Sequence, residues 1–145
     1  MISYRTGNDI SLETFIDLYH TSTLGERRPV DDPSRMASML DNANLVVSAW
    51  DEEVLVGIAR SVSDFAYVTY LSDLAVRLSY QRQGIGRELI RRTQLEAPQA
   101  SIVLLSAPKA VEYYPRIGFT RHESAWVLRP GQELILNGEE PVTIQ

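Results

Sequence analysis

The sequence contains no cysteine, and this absence excludes several kinds of chemistry at once. A chain without thiols has no disulfides, no thiolate metal ligands and no cysteine nucleophile. The chain also lacks an apolar run of membrane-spanning length, and its start, MISYRTGNDIS, does not have the basic-then-apolar order of a signal peptide. From these absences we expect a cytoplasmic protein with no membrane partner.

Basic residues are outnumbered, and histidines are few. The 14 lysines and arginines against 19 acidic residues give a formal net charge of −5. A general nucleic-acid binder is usually basic, so we expect no nucleic-acid partner. The acidic balance is compatible with an amine-bearing partner. The two histidines, His20 and His122, lack metal-ligand spacing, so we expect no metal site.

The apolar pattern is that of one α/β domain. Apolar residues recur with helical spacing near 12–19 and 36–43, and strand-like runs follow from residue 45. A helix after residue 84, a strand at 101–106 that we expect to be buried on both faces, a short helix near 108–118 and a strand at 124–130 complete the pattern. The order β-α-α-β-β-β-α-β-α-β predicts a central mixed, mainly antiparallel sheet with helices on both faces. We expect one domain over residues 1–130, followed by a tail, 131–145, that is an extra strand, a swapped arm or a disordered end.

The segment YQRQGIGRELI, residues 80–90, places two glycines between a strand and a helix. Glycines let the backbone approach a ligand closely, and the unsatisfied N–H groups at a helix start favour an anion. The segment therefore predicts a phosphate site. A dinucleotide fingerprint would need a third glycine where Leu89 stands, and a nucleotide P-loop would need a Gly-Lys-Ser/Thr sequence that the chain lacks. The alternative is an ordinary strand–helix turn in which glycine only relieves crowding.

Two motifs together resemble the GNAT superfamily of N-acetyltransferases. Gln81, Gly84 and Gly86 match the family's Gln/Arg-x-x-Gly-x-Gly/Ala loop, which follows an apolar triplet in a strand. Downstream, AVEYYPRIGF is similar to the family's Ala-x-x-Phe-Tyr-x-x-x-Gly-Phe segment. The resemblance extends to about residue 130. It implies the GNAT acyltransferase fold, acetyl-coenzyme A as co-substrate, and direct acetyl transfer to a primary amine, with a homodimer as an oligomeric state to test.

The resemblance also implies roles for individual residues. Coenzyme binding would fall to the triplet, the loop and the downstream helix, which comprise Leu74, Ala75, Val76, Gln81, Arg82, Gln83, Gly84, Ile85, Gly86, Arg87, Ala110 and Tyr113. Tyr114 would be the general acid that protonates the departing thiolate, whereas the alternative is a tyrosine packed in the core. A backbone N–H near Leu74 or Ala75 would stabilise the oxyanion. The sequence departs from the family at Ala107, where an asparagine often stands, so a side-chain contact to the coenzyme would be missing.

The acceptor side leaves more alternatives open. Asp73 is a candidate general base, and it is equally well interpreted as a carboxylate that faces away from the substrate and pairs with an arginine such as Arg60. Strand alternation predicts that Tyr70 and Ser72 lie on the opposite face from Asp73.

Three residues are candidates for substrate binding: Arg27, Arg28 and Tyr70. Solvated loop charges are the alternative for the two arginines. The function predicted is acetylation of a small-molecule amine, and the alternative is a non-catalytic module that senses acyl-coenzyme A.

Overall fold

The computed structural model of the protein describes residues 1–139 and contains five strands and four α-helices within them. The strands are β1 (Ile2–Thr6), β2 (Leu45–Asp51), β3 (Val54–Ser63), β4 (Val68–Val76) and β5 (Ser101–Val103). The helices are α1 (Leu12–His20), α2 (Pro33–Asp41), α3 (Ile85–Glu96) and α4 (Tyr113–Arg116). Short 3₁₀ turns lie at Leu24–Arg27, Leu78–Tyr80 and Pro108–Ala110.

Contacts divide the chain into two compact units, which are described separately. The first, Met1–Lys109, holds the whole sheet together with α1, α2 and α3. The second begins at Ala110 and contains α4. The single domain expected over residues 1–130 remains a prediction.

The sheet has the order β1-β2-β3-β4-β5. The first four strands pair antiparallel with their sequence neighbours, and β4 pairs with β5 in parallel. A parallel pair needs a crossover connection, and α3 supplies it. The predicted class, a mixed and mainly antiparallel sheet with helices, is confirmed.

Helices α1 and α2 cover one face of the sheet. Their first turns are capped, since the side chains of Ser11 and Asp32 accept hydrogen bonds from backbone N–H groups three residues later. The apolar sides of both helices form one buried cluster with the sheet, which includes Phe15, Leu18, Tyr19, Met36, Leu40, Val46, Trp50, Ile58 and Ala75.

Helix α3 covers the other face, and a glycine lets it approach closely. Gly57 neighbours Ile58 in β3, so the two residues face opposite sides of the sheet. A Cβ atom added at Gly57 would lie 3.1 Å from the Leu89 side chain, 3.2 Å from the Ile85 side chain and 3.3 Å from the Ala75 carbonyl oxygen. The start of α3, and with it the end of the glycine loop, therefore sits directly on the strands.

Two predicted strands differ from the structure. The segment expected to be a strand buried on both faces, 101–106, forms a strand only at Ser101–Val103, where both terminal residues are exposed. The reason is its position at the sheet edge, where it pairs with β4 alone. The strand expected at 124–130 is not formed, and Trp126 is 90% exposed. The described part of the second unit contains no strand that could complete a hydrogen-bond ladder with it.

The predicted tail falls partly outside the structure. Residues 131–139 form no strand, and 140–145 lie outside the described residues. Across the described chain, none of the helices combines the length and apolar character needed to cross a membrane.

Replacing Gly57 with alanine should loosen the seat of α3. The added methyl group would overlap two side chains and a carbonyl oxygen, and overpacking of this kind costs about 1–3 kcal/mol. We expect Gly57→Ala to lower the free energy of unfolding by that amount, measured by urea denaturation. Gly138→Ala is the matched control, because a Cβ atom there meets nothing within 4 Å. Equal midpoints for Gly57→Ala and the control would contradict this packing.

Candidate functional site

The glycine loop presents a row of free backbone N–H groups. Arg82 and Gly84 both have positive φ, at 65° and 82°, and Gly84 is the N-cap of α3 without a side-chain cap. Within residues 1–139, none of the six N–H groups from Arg82 to Arg87 donates to a protein acceptor. Left-handed backbone followed by a helix start aims such groups at a common point and favours negative charge there. The loop therefore has the geometry of an anion site.

Three hydrogen-bonded side chains fix the segment that leads into the loop. The Tyr80 hydroxyl donates to the carboxylate of Asp51, the last residue of β2. The Gln81 side-chain amide donates to the Val76 carbonyl oxygen at 2.9 Å, so Gln81 closes the base of the loop. Arg77, a residue that the sequence reasoning missed, donates from its side chain to the Leu55 carbonyl oxygen and pairs with Asp17 at 3.1 Å. Its only sequence signal is its place directly after the triplet.

In the described part of the chain, strand β4 is open along one edge beyond Tyr70. Its pairing with β5 covers only Val68 to Tyr70, although β4 continues to Val76. The Arg77 N–H bonds to the Val56 carbonyl oxygen at 2.8 Å, which places the N–H groups of Val76 and Leu74 away from β3 by strand alternation. Leu74 and not Ala75 therefore directs its N–H to the open edge. An extended molecule could add there as a further strand would.

A β-bulge interrupts β4 at Ser72. Arg60 pairs with Asp73, whereas the next residue of β3, Ser61, pairs with Leu71, so Ser72 is the additional residue. One guanidinium, that of Arg60, donates to Asp73 Oδ2 at 2.5 Å and to Ser72 Oγ at 2.9 Å. Two adjacent side chains therefore lie on the same side of the sheet.

The bulge makes the predicted alternation wrong. Ser72, expected opposite Asp73, shares its side of the sheet, and Tyr70 lies two residues before Ser72 on that same side. Tyr70 pairs with Val62 of β3, and Val62 lies two residues from Arg60, so Val62 and Arg60 face the same side of the sheet. This pairing therefore also places Tyr70 on the side of Asp73. The physical reason is that an additional residue shifts the alternation by one position, which the sequence pattern does not reveal.

Asp73 is the centre of a buried polar cluster. It is 1% exposed and accepts hydrogen bonds from the Tyr19 hydroxyl, from Arg28 Nε at 2.6 Å and from Arg60 Nε at 2.5 Å. Burial, followed by the neighbouring Asp73 carboxylate, raises the pKa of Tyr19 well above its usual value, so this phenol remains a donor. The pair with Arg60 that was the alternative for Asp73 is present. Both carboxylate oxygens are already occupied, which is unfavourable for a base.

The two candidate arginines differ in their surroundings. The Arg28 guanidinium is used internally, since its three nitrogens donate to Asp73, to the Arg27 carbonyl oxygen and to the Ser72 carbonyl oxygen. The Arg27 side chain is exposed, and within residues 1–139 it makes no ion pair. Of the two, Arg27 is the one free to contact a ligand.

The second unit holds Tyr114 at the start of α4. Its ring lies 5.2 Å from that of Tyr113 and 5.4 Å from that of Phe119, measured between centroids. Burial raises the pKa of Tyr114 above its usual value of 10.0, and Tyr113 adds to the effect. The phenol is therefore protonated at neutral pH and can donate a proton.

Residues 1–139 contain no cluster of three or more side chains suited to a metal ion.

Comparison with known proteins identifies relatives of this chain. Residues 24–129 match the family described as acetyltransferase (GNAT) domain. The chain is 30% identical to two Glycine max proteins, probable acetyltransferase TAP2 and histone acetyltransferase TAP1, over 81% of its length in each case. It covers 51% and 55% of those two proteins, so it spans about half the length of each.

Solved structures share the fold. A GNAT-family acetyltransferase from Streptococcus pneumoniae is 26% identical with a TM-score of 0.66, and the match covers 89% of this chain and 99% of that one. An aminoglycoside N-acetyltransferase solved with coenzyme A has a TM-score of 0.70 at 18% identity, and the match covers 89% of this chain and 94% of that one. At that identity the second likeness concerns the fold alone.

Removing the Tyr19 hydroxyl should destabilise the Asp73 cluster. Tyr19→Phe leaves a buried carboxylate oxygen short of one donor, and a lost partner of this kind costs about 1–3 kcal/mol. We expect that decrease in the free energy of unfolding, measured by urea denaturation. Tyr67→Phe is the control, because Tyr67 is 80% exposed. A Tyr19→Phe variant as stable as the control would mean that this hydrogen bond contributes nothing.

Proposed function

The chain belongs to the GNAT acetyltransferase domain family, and we propose that it transfers the acetyl group of acetyl-coenzyme A directly to the primary amine of a small molecule. The observation that supports this most is the open edge of β4 ending next to a loop of free N–H groups. A phosphate group and an extended amide chain are the two features that such a pair of surfaces would bind. Coenzyme A has both features.

The binding part of the proposal assigns each surface to one portion of the co-substrate. The N–H groups from Arg82 to Arg87 bind the pyrophosphate, and the Arg82 and Arg87 side chains add positive charge. The backbone of β4 from Leu74 to Val76 binds the pantetheine arm as an added strand. Gln81 supports the loop through the Val76 carbonyl oxygen. Ala110 and Tyr113 are assigned to coenzyme binding because they match the family motif.

The catalytic part assigns a donor to each developing charge. The Leu74 N–H at the open edge stabilises the oxyanion of the tetrahedral intermediate. Tyr114 gives its proton to the departing thiolate, a role carried over from the motif, and burial raises the pKa of its phenol and keeps it protonated at neutral pH. Asp73 was the candidate base, but its oxygens accept from three donors, so we assign the proton of the amine to water.

We assign the acceptor to the class of small-molecule amines. A small-molecule amine is supported by the fold shared with an aminoglycoside N-acetyltransferase. We assign substrate contact to Tyr70, which is 39% exposed, and to Arg27, which makes no ion pair with residues 1–139. A protein amine is the second candidate, since one relative is named a histone acetyltransferase. We place the reaction in the cytoplasm, although one relative is named as chloroplastic.

Acetyl-coenzyme A should bind the purified protein through the glycine loop. Gly84→Ala forces a side chain into a φ of 82°, which costs about 1 kcal/mol and displaces the loop N–H groups. We expect calorimetry to give a dissociation constant at least about fivefold weaker than for the unaltered chain. Gly131→Ala is the matched control, because its φ is 79° and it lies outside the loop. Equal weakening by both variants, or no binding by the unaltered chain, would contradict the proposal.

Tyr114→Phe should lower turnover without changing coenzyme affinity. Loss of a general acid reduces kcat by about 10²-fold or more, whereas the phenyl ring preserves the packing with Phe119. Because the pKa of Tyr114 is raised above 10.0, its protonated form should persist through neutral pH and be lost only in strongly alkaline solution. Thiol release monitored from pH 7 upward tests both statements, with Tyr67→Phe as the control. An unchanged kcat would remove Tyr114 from the mechanism.

An amine panel should separate the candidate acceptors. We expect thiol release with at least one small amine at a higher kcat/KM than with a lysine-bearing histone peptide. A preference for the peptide would favour the protein acceptor. Binding of acetyl-coenzyme A without thiol release for any amine would favour the non-catalytic sensing module instead.

A further inference from the structure

Four hydrogen bonds from two arginines end on two adjacent residues of β4. Arg28 donates to Asp73 Oδ1 at 2.6 Å and to the Ser72 carbonyl oxygen at 2.8 Å. Arg60 donates to Asp73 Oδ2 at 2.5 Å and to Ser72 Oγ at 2.9 Å. These two residues are the site of the bulge. The bulge is therefore the most heavily bonded point of the strand.

The same arginines connect the bulge to other elements. Arg60 Nη1 donates to the Met39 carbonyl oxygen in α2 at 3.1 Å. Arg28 follows the Leu24–Arg27 turn directly and donates to the Arg27 carbonyl oxygen at 2.8 Å. The Tyr19 hydroxyl adds a contact from α1. Two helices and a turn are thus fixed to one point of β4.

The bulge has a consequence for the residues that follow it. An additional residue in a strand shifts by one position which N–H groups face each neighbour. Leu74 lies two residues after Ser72, and its N–H faces the open edge only in the observed register. Burying two guanidinium groups and a carboxylate is costly unless the ions are paired. Apolar side chains of similar size in their place often give a protein that is equally stable. The arrangement is therefore better explained by its effect on the strand than by its contribution to stability.

We propose that Arg28 and Asp73 are positioning residues for acetyl transfer, which hold the bulge so that the Leu74 N–H points to the open edge. The inference rests on the proposed function, because the direction of Leu74 matters only if a thioester lies there. It assigns Arg28 to the protein's own strand and not to an anionic group of the substrate. The Arg28 side chain is 22% exposed, and all three nitrogens of its guanidinium donate to protein acceptors.

The test uses the full chain with Arg28→Gln and Arg28→Lys. A small displacement of a catalytic group can cost about 10²-fold, so we expect Arg28→Gln to lower kcat about tenfold or more with every accepted amine. Calorimetry with coenzyme A should show a smaller factor of change in the dissociation constant than in kcat, because the loop that binds the pyrophosphate is untouched and only the pantetheine-binding edge of β4 is disturbed. Arg28→Lys, which keeps the charge and one donor direction, should recover part of kcat. Arg92→Gln is the control, since Arg92 contacts Glu88 and Tyr4 on α3 and β1.

Two further measurements distinguish a positioning role for Arg28 from a general loss of stability. Amide hydrogen exchange should become faster at residues 72–76 in Arg28→Gln and stay unchanged there in Arg92→Gln. The double variant Arg28→Gln, Asp73→Asn should lower kcat by a smaller factor than the product of the factors measured for the two single variants. If Asp73→Asn does not fold, Ser72→Ala replaces it in the cycle, because it removes only the hydroxyl that Arg60 binds.

The possible outcomes separate this inference from the proposed function. Unchanged kcat in Arg28→Gln, or a loss confined to amines that carry a carboxylate or phosphate, would overturn the positioning role. A lower melting temperature with unchanged kcat would also overturn it. If the unaltered chain transfers no acetyl group, the proposed function fails, and the hydrogen exchange alone then decides whether Arg28 holds the bulge.

Discussion

Within residues 1–139, strand β4 is hydrogen-bonded on one side only beyond Tyr70, and the candidate site depends on this constraint. Backbone N–H groups that find no partner must be satisfied by water or by a ligand. The Leu74 and Val76 N–H groups face that open edge, and the strand then leads through Arg77 into a loop whose next free N–H groups begin at Arg82. Strand edge and loop therefore form one path of donors within the first unit of the chain, interrupted at the turn where the N–H groups of Arg77, Leu78, Tyr80 and Gln81 bond to backbone carbonyl oxygens.

Packing from both faces keeps this path in place. Gly57 brings the start of α3 into contact with the strands on one side, and the Asp73 cluster ties α1, α2 and the Leu24–Arg27 turn to β4 on the other. The close packing at Gly57 positions the loop, and the Asp73 cluster positions the bulge. Both act through backbone geometry, which is consistent with a co-substrate recognised mainly by main-chain groups.

The features that could be predicted from sequence are those encoded by near neighbours. The loop from Gln81 to Gly86 and the helix that follows are adjacent in the chain, so the geometry of an anion site could be inferred from spacing. The pair between Arg60 and Asp73 was accessible because the two residues lie on consecutive strands. The contact of Arg28 with Asp73 spans 45 positions and the bulge depends on cross-strand register, so neither leaves a local pattern. The strand expected at 124–130 failed because a strand also needs a partner, which alternation alone does not supply.

The central claim is that the open edge of β4 and the glycine loop bind coenzyme A together. Backbone amide chemical shifts followed by NMR during titration with coenzyme A test it most directly. We expect the largest shifts at Leu74, Val76 and the six residues from Arg82 to Arg87, with Ala75 affected less because its N–H faces β3. Shifts confined to other parts of the chain, or shifts in the loop with none at Leu74 and Val76, would contradict it.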